Sequence, residues 1–137
     1  MKLILEGKAK KIFQTKKKDV LVQFFKDSAT AFNNKKKKSF KNKGVINNLI
    51  SSDIFNYLSN NDIKTHFIKR INSREQLIKK LKIIPVEVVI RNYSAGSLVN
   101  RLGIKRGQKL NTPLIEFYYK NDELNDPILT EGRLKLL

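Results

Sequence analysis

Short β-branched and aromatic runs, each closed by turn-forming residues, fill this sequence everywhere except one long stretch of helical period. That contrast restricts the chain to a mixed architecture. Residues 2–6 lead to Gly7, residues 11–14 follow, and residues 20–25 come after a lysine-rich turn, which predicts a β-meander. From Asn42 to Asn60 the period changes. Val45, Ile46, Leu49, Ile50, Ile54, Phe55 and Leu58 recur every three to four residues, the spacing of an amphipathic helix that buries them. Residues 65–69 read as the next strand. Residues 76–84 and 86–92 read as two apolar strands, paired or consecutive, joined by a stiff bend at Pro85. Ser94 to Ser97 opens a short helix through Leu98, Val99 and Leu102 that Gly103 stops, and residues 114–119 form a further strand before the acidic loop at residues 121–127. The expected class is α+β, mostly antiparallel sheet with a packed helix.

Length alone, 137 residues, predicts one domain. Cysteine is absent, which excludes disulfides, thiolate metal sites and cysteine nucleophiles and points to an intracellular, cytoplasmic setting. The longest apolar stretch, residues 83–90, is broken by Pro85 and Glu87 and falls short of the roughly 20 residues of a membrane helix. No membrane association is expected. Residues 130–137 begin an apolar helical pattern and stop, which predicts a fragment of a longer chain.

A net charge of +17 raises the possibility of a basic nucleic-acid-binding domain. Its make-up weakens that reading: 23 lysines and only 6 arginines supply the charge, whereas base and phosphate recognition favours the guanidinium fork. Lys, Ile and Asn, all with A/T-rich codons, are abundant together, so genome composition accounts for much of the excess. The clusters at Lys16 to Lys18 and Lys35 to Lys38 then become solvated loop tips, and nucleic acid is not the expected partner.

Three constellations could carry chemistry. Glu6, Gly7, Lys8, Lys10 and Lys11 lie between two strands, where a glycine admits a close phosphate and ammonium groups balance its charge; a plain hairpin accounts for the same spacing. Arg91 ends the most strand-like run and is followed by the small-residue turn Ser94, Ala95, Gly96, Ser97, an arrangement in which a guanidinium and a hydroxyl can grip one phosphate. The same pattern fits a surface arginine and an ordinary serine N-cap. Polar residues from Lys26 to Asn33, with the Lys43, Gly44, Val45 helix start, could frame a second anionic pocket or serve only as turn and cap. The single histidine, His66, has no partner for a metal site and reads as structural.

Taken together and in order, residues 6–13, 26–32, 43–48, 65–67, 83–97, 101–103 and 116–120, with Asp126 and Pro127, resemble the phosphoribosylaminoimidazole-succinocarboxamide synthase (SAICAR synthetase) family, from residue 2 to about residue 131. The resemblance implies the two-lobe, ATP-grasp-related fold of that family. A nucleotide-binding lobe would cover about residues 1–80, and the start of a substrate-binding lobe about 81–137. It implies a purine-biosynthesis ligase: ATP phosphorylates the carboxylate of carboxyaminoimidazole ribotide, and the amine of L-aspartate displaces phosphate to give SAICAR. It further implies that Gly7, Lys8 and Lys10 face the ATP phosphates, that Leu81 and Ile83 flank adenine, that Lys120 lies on the nucleotide side, and that Arg91, Gly96 and Ser97 hold the ribotide phosphate. Family chains associate as homo-oligomers. They also carry, in a second half, a segment of the type Asp-x-Lys-x-Glu-Phe-Gly whose carboxylates hold Mg²⁺; that segment is absent here, so no metal ligand is expected in this chain. Gly132 and Arg133 also depart from the family pattern. A non-catalytic remnant of the enzyme is the remaining alternative.

Overall fold

In the computed structural model, which describes residues 1–31 and 36–137, the N-terminal meander is formed by β1 (Leu3–Glu6), β2 (Lys10–Gln14) and β3 (Val20–Phe25). Every strand pair in the described chain is antiparallel. Thr15 closes the lysine-rich turn. Its hydroxyl accepts from Lys17 N at 3.1 Å and donates to Val20 O at 2.8 Å, which satisfies backbone groups that a tight turn strands. The sheet is completed by β6 (Phe67–Arg70) and β7 (Glu75–Lys79) in the order β1-β2-β3-β7-β6. His66 sits at the bend just before β6 rather than within a strand; its ring packs edge-on to Phe55 at 4.9 Å.

Two expectations change between β3 and the helix. Residues 26–33 and the lysine cluster read as loop, whereas β4 (Ser28–Ala31) and β5 (Lys36–Ser39) pair as a two-stranded ribbon. Phe32, Asn33 and Lys35 lie outside the described residues. Backbone pairing of Ser28 with Ser39 and Ala29 with Lys38 overrides the weak strand preference of lysine.

Helix α1 (Lys43–Asn60) matches the helical period, but it buries a different face from the one the period marks. Its buried residues are Gly44, Asn48 and Ser52, one face at four-residue spacing, while Ile46, Leu49, Ile50 and Ile54 are exposed. The reason is the sheet beneath. A Cβ on Gly44 would overlap the Phe25 carbonyl and lie 2.8 Å from Arg74 Nη1, so the helix axis is drawn too close for a large side chain. The facing strands also present polar groups: Gln76, fully buried on β7, donates from Nε2 to Asn48 O at 3.1 Å, and Asn48 Nδ2 donates to Asn72 O at 2.8 Å. The Asn48 side chain satisfies the Asn72 carbonyl, which an aliphatic residue at 48 could not, whereas the small Ser52 donates to Leu49 O within the helix and lets the helix lie close to the sheet.

The chain separates into two compact units, Met1–Leu81 and Lys82–Leu137, where length predicts one domain. The first is built on the five-stranded sheet and α1. The second is built on β8 (Val86–Tyr93), β9 (Lys109–Tyr119) and β10 (Ile128–Leu129), in the order β10-β9-β8. The strand expected over residues 76–84 ends at Lys79, and β7 pairs with β3 and β6 rather than with β8. Residues 80–84 adopt no regular structure, and Leu81, Ile83 and Ile84 are exposed. In β9 the register slips between the pairs Arg91–Leu114 and Tyr93–Lys109, a bulge that contains Pro113, whose missing N–H cannot join the ladder.

Two short helices finish the second unit, α2 (Ser97–Leu102) and α3 (Glu131–Leu134). Gly103 ends α2 in the left-handed region at φ 63°, its N–H bonded to Val99 O. Thr130 caps α3 by accepting from Arg133 N. Among the described residues no helix is long and apolar enough to cross a membrane.

Candidate functional site

The second unit brings Arg91, Gly96 and Ser97 together. Alternation along β8 and β9 places Arg91 on the same sheet face as Glu116, its diagonal neighbour across the ladder, since Val89 is paired with Glu116 and Arg91 with Leu114. Arg91 Nε donates to Glu116 Oε2 at 2.5 Å, Nη1 to Ala95 O at 3.1 Å and Nη2 to Ser97 Oγ at 3.3 Å. Both charged side chains are largely buried, at 15% and 6% exposure, and the Glu116 carboxylate, followed by the Tyr118 hydroxyl, raises the Arg91 pKa above its already high value. The N-cap of α2 is Gly96, with no side-chain cap bond, so Ser97 is not the ordinary N-cap that the sequence allowed. Its hydroxyl accepts from Arg91 and retains a proton to donate.

Gly96 is needed for its backbone. At φ 58° and ψ −136° it occupies a region that side chains exclude, while a Cβ there would meet Arg91 Nη1 only at an ordinary 3.5 Å. Ser94 is fully buried and anchors the turn: Ser94 Oγ donates to Lys105 O at 2.6 Å and accepts from Gln108 N at 2.9 Å. Arg101 completes the cluster, its Nη1 donating to Tyr118 OH at 2.6 Å and lying 4.0 Å from Glu116 Oε1. Sequence reasoning missed Glu116, Arg101 and Tyr118 as site residues. The available signal was a lone carboxylate inside the apolar run from Leu114 to Tyr119.

In the first unit, Gly7 and Lys10 close the β1–β2 turn through Gly7 N to Lys10 O at 2.9 Å. Gly7 has no positive φ, and a Cβ there would come no closer than 3.8 Å to Lys10 O, so the local fold does not itself demand glycine. Ser28 Oγ donates to Lys8 O at 2.8 Å, which ties the turn to β4, and Lys26 Nζ bridges Glu6 Oε1 at 2.5 Å and Gly7 O at 3.2 Å. The Lys10 ammonium rests 5.1 Å from the Phe25 ring centroid, facing a cleft of about 380 Å³ that Asn47, Ser51 and Ile54 also line. Loss of water around that ammonium lowers its pKa, although the residue as a whole is exposed. Among the described residues no carboxylate is paired with it.

Lys120 is held between Asp126 Oδ2 at 2.6 Å and Glu87 Oε2 at 3.3 Å, and the pair, Asp126 foremost, raises its pKa. Leu81 and Ile83 lie in the irregular segment at the boundary between the units. No group of three His, Asp or Glu side chains able to hold a metal occurs among the described residues.

Residues 3–137 match the family model described as SAICAR synthetase. The chain belongs to the SAICAR synthetase family. A phosphoribosylaminoimidazole-succinocarboxamide synthase from Exiguobacterium is 53% identical over 137 residues, all of this chain and 58% of that protein. The solved synthase from Ehrlichia chaffeensis superposes with a TM-score of 0.94 at 53% identity, covering 97% of this chain and 56% of the other. A SAICAR synthetase solved in complex with ADP superposes at 0.93 with 44% identity, covering 98% and 57%. The chain therefore spans just over half the length of these SAICAR synthetases, and the high scores extend to the whole mixed α+β, antiparallel framework.

Proposed function

We propose that this chain supplies the nucleotide-side and ribotide-side residues of an ATP-dependent ligase of purine biosynthesis, one that joins carboxyaminoimidazole ribotide to L-aspartate. The observation that carries the reading is the Arg91–Ser97 pair. A guanidinium fixed from behind by a buried carboxylate, with a hydroxyl at 3.3 Å, suits an oxyanion such as a phosphate monoester. Three of the five guanidinium N–H donors are engaged, which leaves two for a ligand. Family membership and the ADP complex of a 44%-identical relative support the nucleotide half.

In the reaction proposed, a ribotide carboxylate oxygen attacks the γ-phosphorus of ATP, ADP leaves, and an acyl phosphate forms. The aspartate amine then attacks the acyl carbon; the carbon–oxygen bond to phosphate breaks, and the amine loses a proton. Both steps need cations on transferring phosphoryl groups and a carboxylate held in place. Arg91 and Ser97, with Gly96 setting the turn, hold the ribotide by its phosphate and so fix its carboxylate. Lys8 and Lys10 lie along the ATP phosphates, with Gly7 admitting their close approach, a role consistent with a glycine the local fold does not require. Leu81 and Ile83 offer apolar surface to adenine, and Lys120 is on the nucleotide side.

Mg²⁺ accompanies ATP in such chemistry and would neutralise phosphate charge. The residues assigned here are hydrogen-bond donors and cations, not ligands for it. On the same reading the units Met1–Leu81 and Lys82–Leu137 are the nucleotide lobe and the start of the substrate lobe, the setting is cytoplasmic, and the full-length family protein is a homo-oligomer. Calorimetric titration with ATP and with carboxyaminoimidazole ribotide tests the assignment. Ribotide binding that disappears in Arg91→Ala while ATP binding persists is the expected result; equal ribotide binding by both proteins refutes it.

A further inference from the structure

We propose that Glu116 is a positioning residue for this phosphate site: it fixes the Arg91 guanidinium in the orientation that presents its terminal N–H groups beside Ser97. The proposal rests on the reading of Arg91 and Ser97 as a phosphate grip. Glu116 is buried on β9, and its reach to Arg91 spans 25 residues of sequence. One carboxylate oxygen accepts Arg91 Nε–H at 2.5 Å; the other lies 4.0 Å from Arg101 Nη1, itself bonded to Tyr118 OH. Each oxygen thus faces a guanidinium.

For an incoming anion, the charge of this acid is unfavourable. A buried negative charge behind an anion site repels the anion, and the repulsion is strongest where water is excluded. Geometry supplies the compensation. Arginine is rich in rotamers, and a phosphate that has to order the side chain on binding loses affinity. With Nε–H already taken, the guanidinium plane is set and both Nη groups point to the turn, where Ala95 O and Ser97 Oγ accept from them. Glu116 therefore trades some attraction for a fixed fork.

The two effects have opposite signs on binding, which makes the role measurable. The probe is ribose 5-phosphate, titrated into the full chain. Glu116→Met keeps roughly the size and removes both the negative charge and the oxygen that accepts Arg91 Nε–H, so a purely electrostatic influence tightens binding. Positioning predicts weakening of roughly tenfold, the value of one charge-assisted hydrogen bond. The Arg91 Nε–H resonance reports on the same contact: it is protected from water exchange in the parent chain and loses protection in Glu116→Met, which has no oxygen to accept it, while the amides of β8, β9 and α2 stay unmoved. A general loss of structure would shift those amides as well.

Unchanged or tighter ribose 5-phosphate binding by Glu116→Met, with Arg91→Ala still abolishing it, overturns the positioning role and leaves the phosphate site intact. Binding indifferent to Arg91→Ala removes the phosphate reading and the positioning role together. If Glu116→Met does not fold, the parent chain decides: ligand addition moves the Arg91 Nη resonances and leaves a protected Nε–H, whereas an Nε–H in fast exchange throughout overturns the proposal.

Discussion

Arg74 and Asp27 form a two-pronged ion pair, Nη1 to Oδ1 at 2.8 Å and Nη2 to Oδ2 at 2.9 Å, across 47 residues of sequence. The same Oδ1 accepts Gly44 N at 2.8 Å, so a side chain that follows β3 caps the start of α1, a task Asn42 does not perform with its own side chain. Arg74 Nη1 also reaches Phe25 O at 3.5 Å. Sheet, helix and the β6–β7 turn are joined at one carboxylate.

That junction makes stability acid-sensitive. The Arg74 hydrogen bonds, then Gly44 N–H, hold Asp27 at a pKa of about 2 against an ordinary 3.8. A folded-state pKa below the unfolded value means the stabilisation is present above pH 3.8 and is lost as pH falls toward 2. Thermal unfolding measured between pH 5 and pH 2 should fall more steeply for the parent chain than for Asp27→Asn, whose melting temperature is lower at pH 5 and converges with the parent at the acid end. Parallel curves would contradict the assignment.

Gly44→Ala should destabilise despite the better helix propensity of alanine. Propensity favours alanine by about 1 kcal/mol, but the added methyl meets backbone at Phe25, which cannot rotate away. Overpacking of that kind costs about 1–3 kcal/mol, so the urea midpoint of the helical signal should drop. A rise would show that the helix can lift off the sheet freely.

The exposed aliphatic stripe of α1 gives the complementary test. Ile50 is 52% exposed and Ser52 is 2% exposed. Ile50→Gln should therefore change unfolding free energy by no more than about 0.5 kcal/mol, whereas Ser52→Leu should cost about 1–3 kcal/mol through crowding against the sheet. Equilibrium urea unfolding of the two variants checks the order, and a larger loss for Ile50→Gln would restore the face that the hydrophobic period marks.

Ser97→Ala should weaken binding of carboxyaminoimidazole ribotide by roughly tenfold, the loss of one hydrogen bond to a charged group, with ATP binding unaffected. Calorimetry on the folded variant measures both. Unaltered ribotide affinity would leave Arg91 as the sole grip.

The sequence alone determined what depends on neighbours along the chain. The meander followed from β-branched runs between turn residues, α1 from a period of three to four, and the α2 stop from Gly103, because each is a matter of local backbone preference. Arg91 and Ser97 were legible as a pair for the same reason: six residues and one turn separate them. Tertiary structure decided the rest. Which face of α1 is buried was set by Gln76, Phe25 and Asn72, residues on other elements whose carbonyls and amides require polar partners and close approach. The partner of β7 was set by sheet registry with β3 rather than by its neighbour beyond Pro85. Glu116 came to lie behind Arg91 only through the pairing of β8 with β9, a contact that no pattern within either strand contains, since strand pairing is a relation between segments and not a property of one.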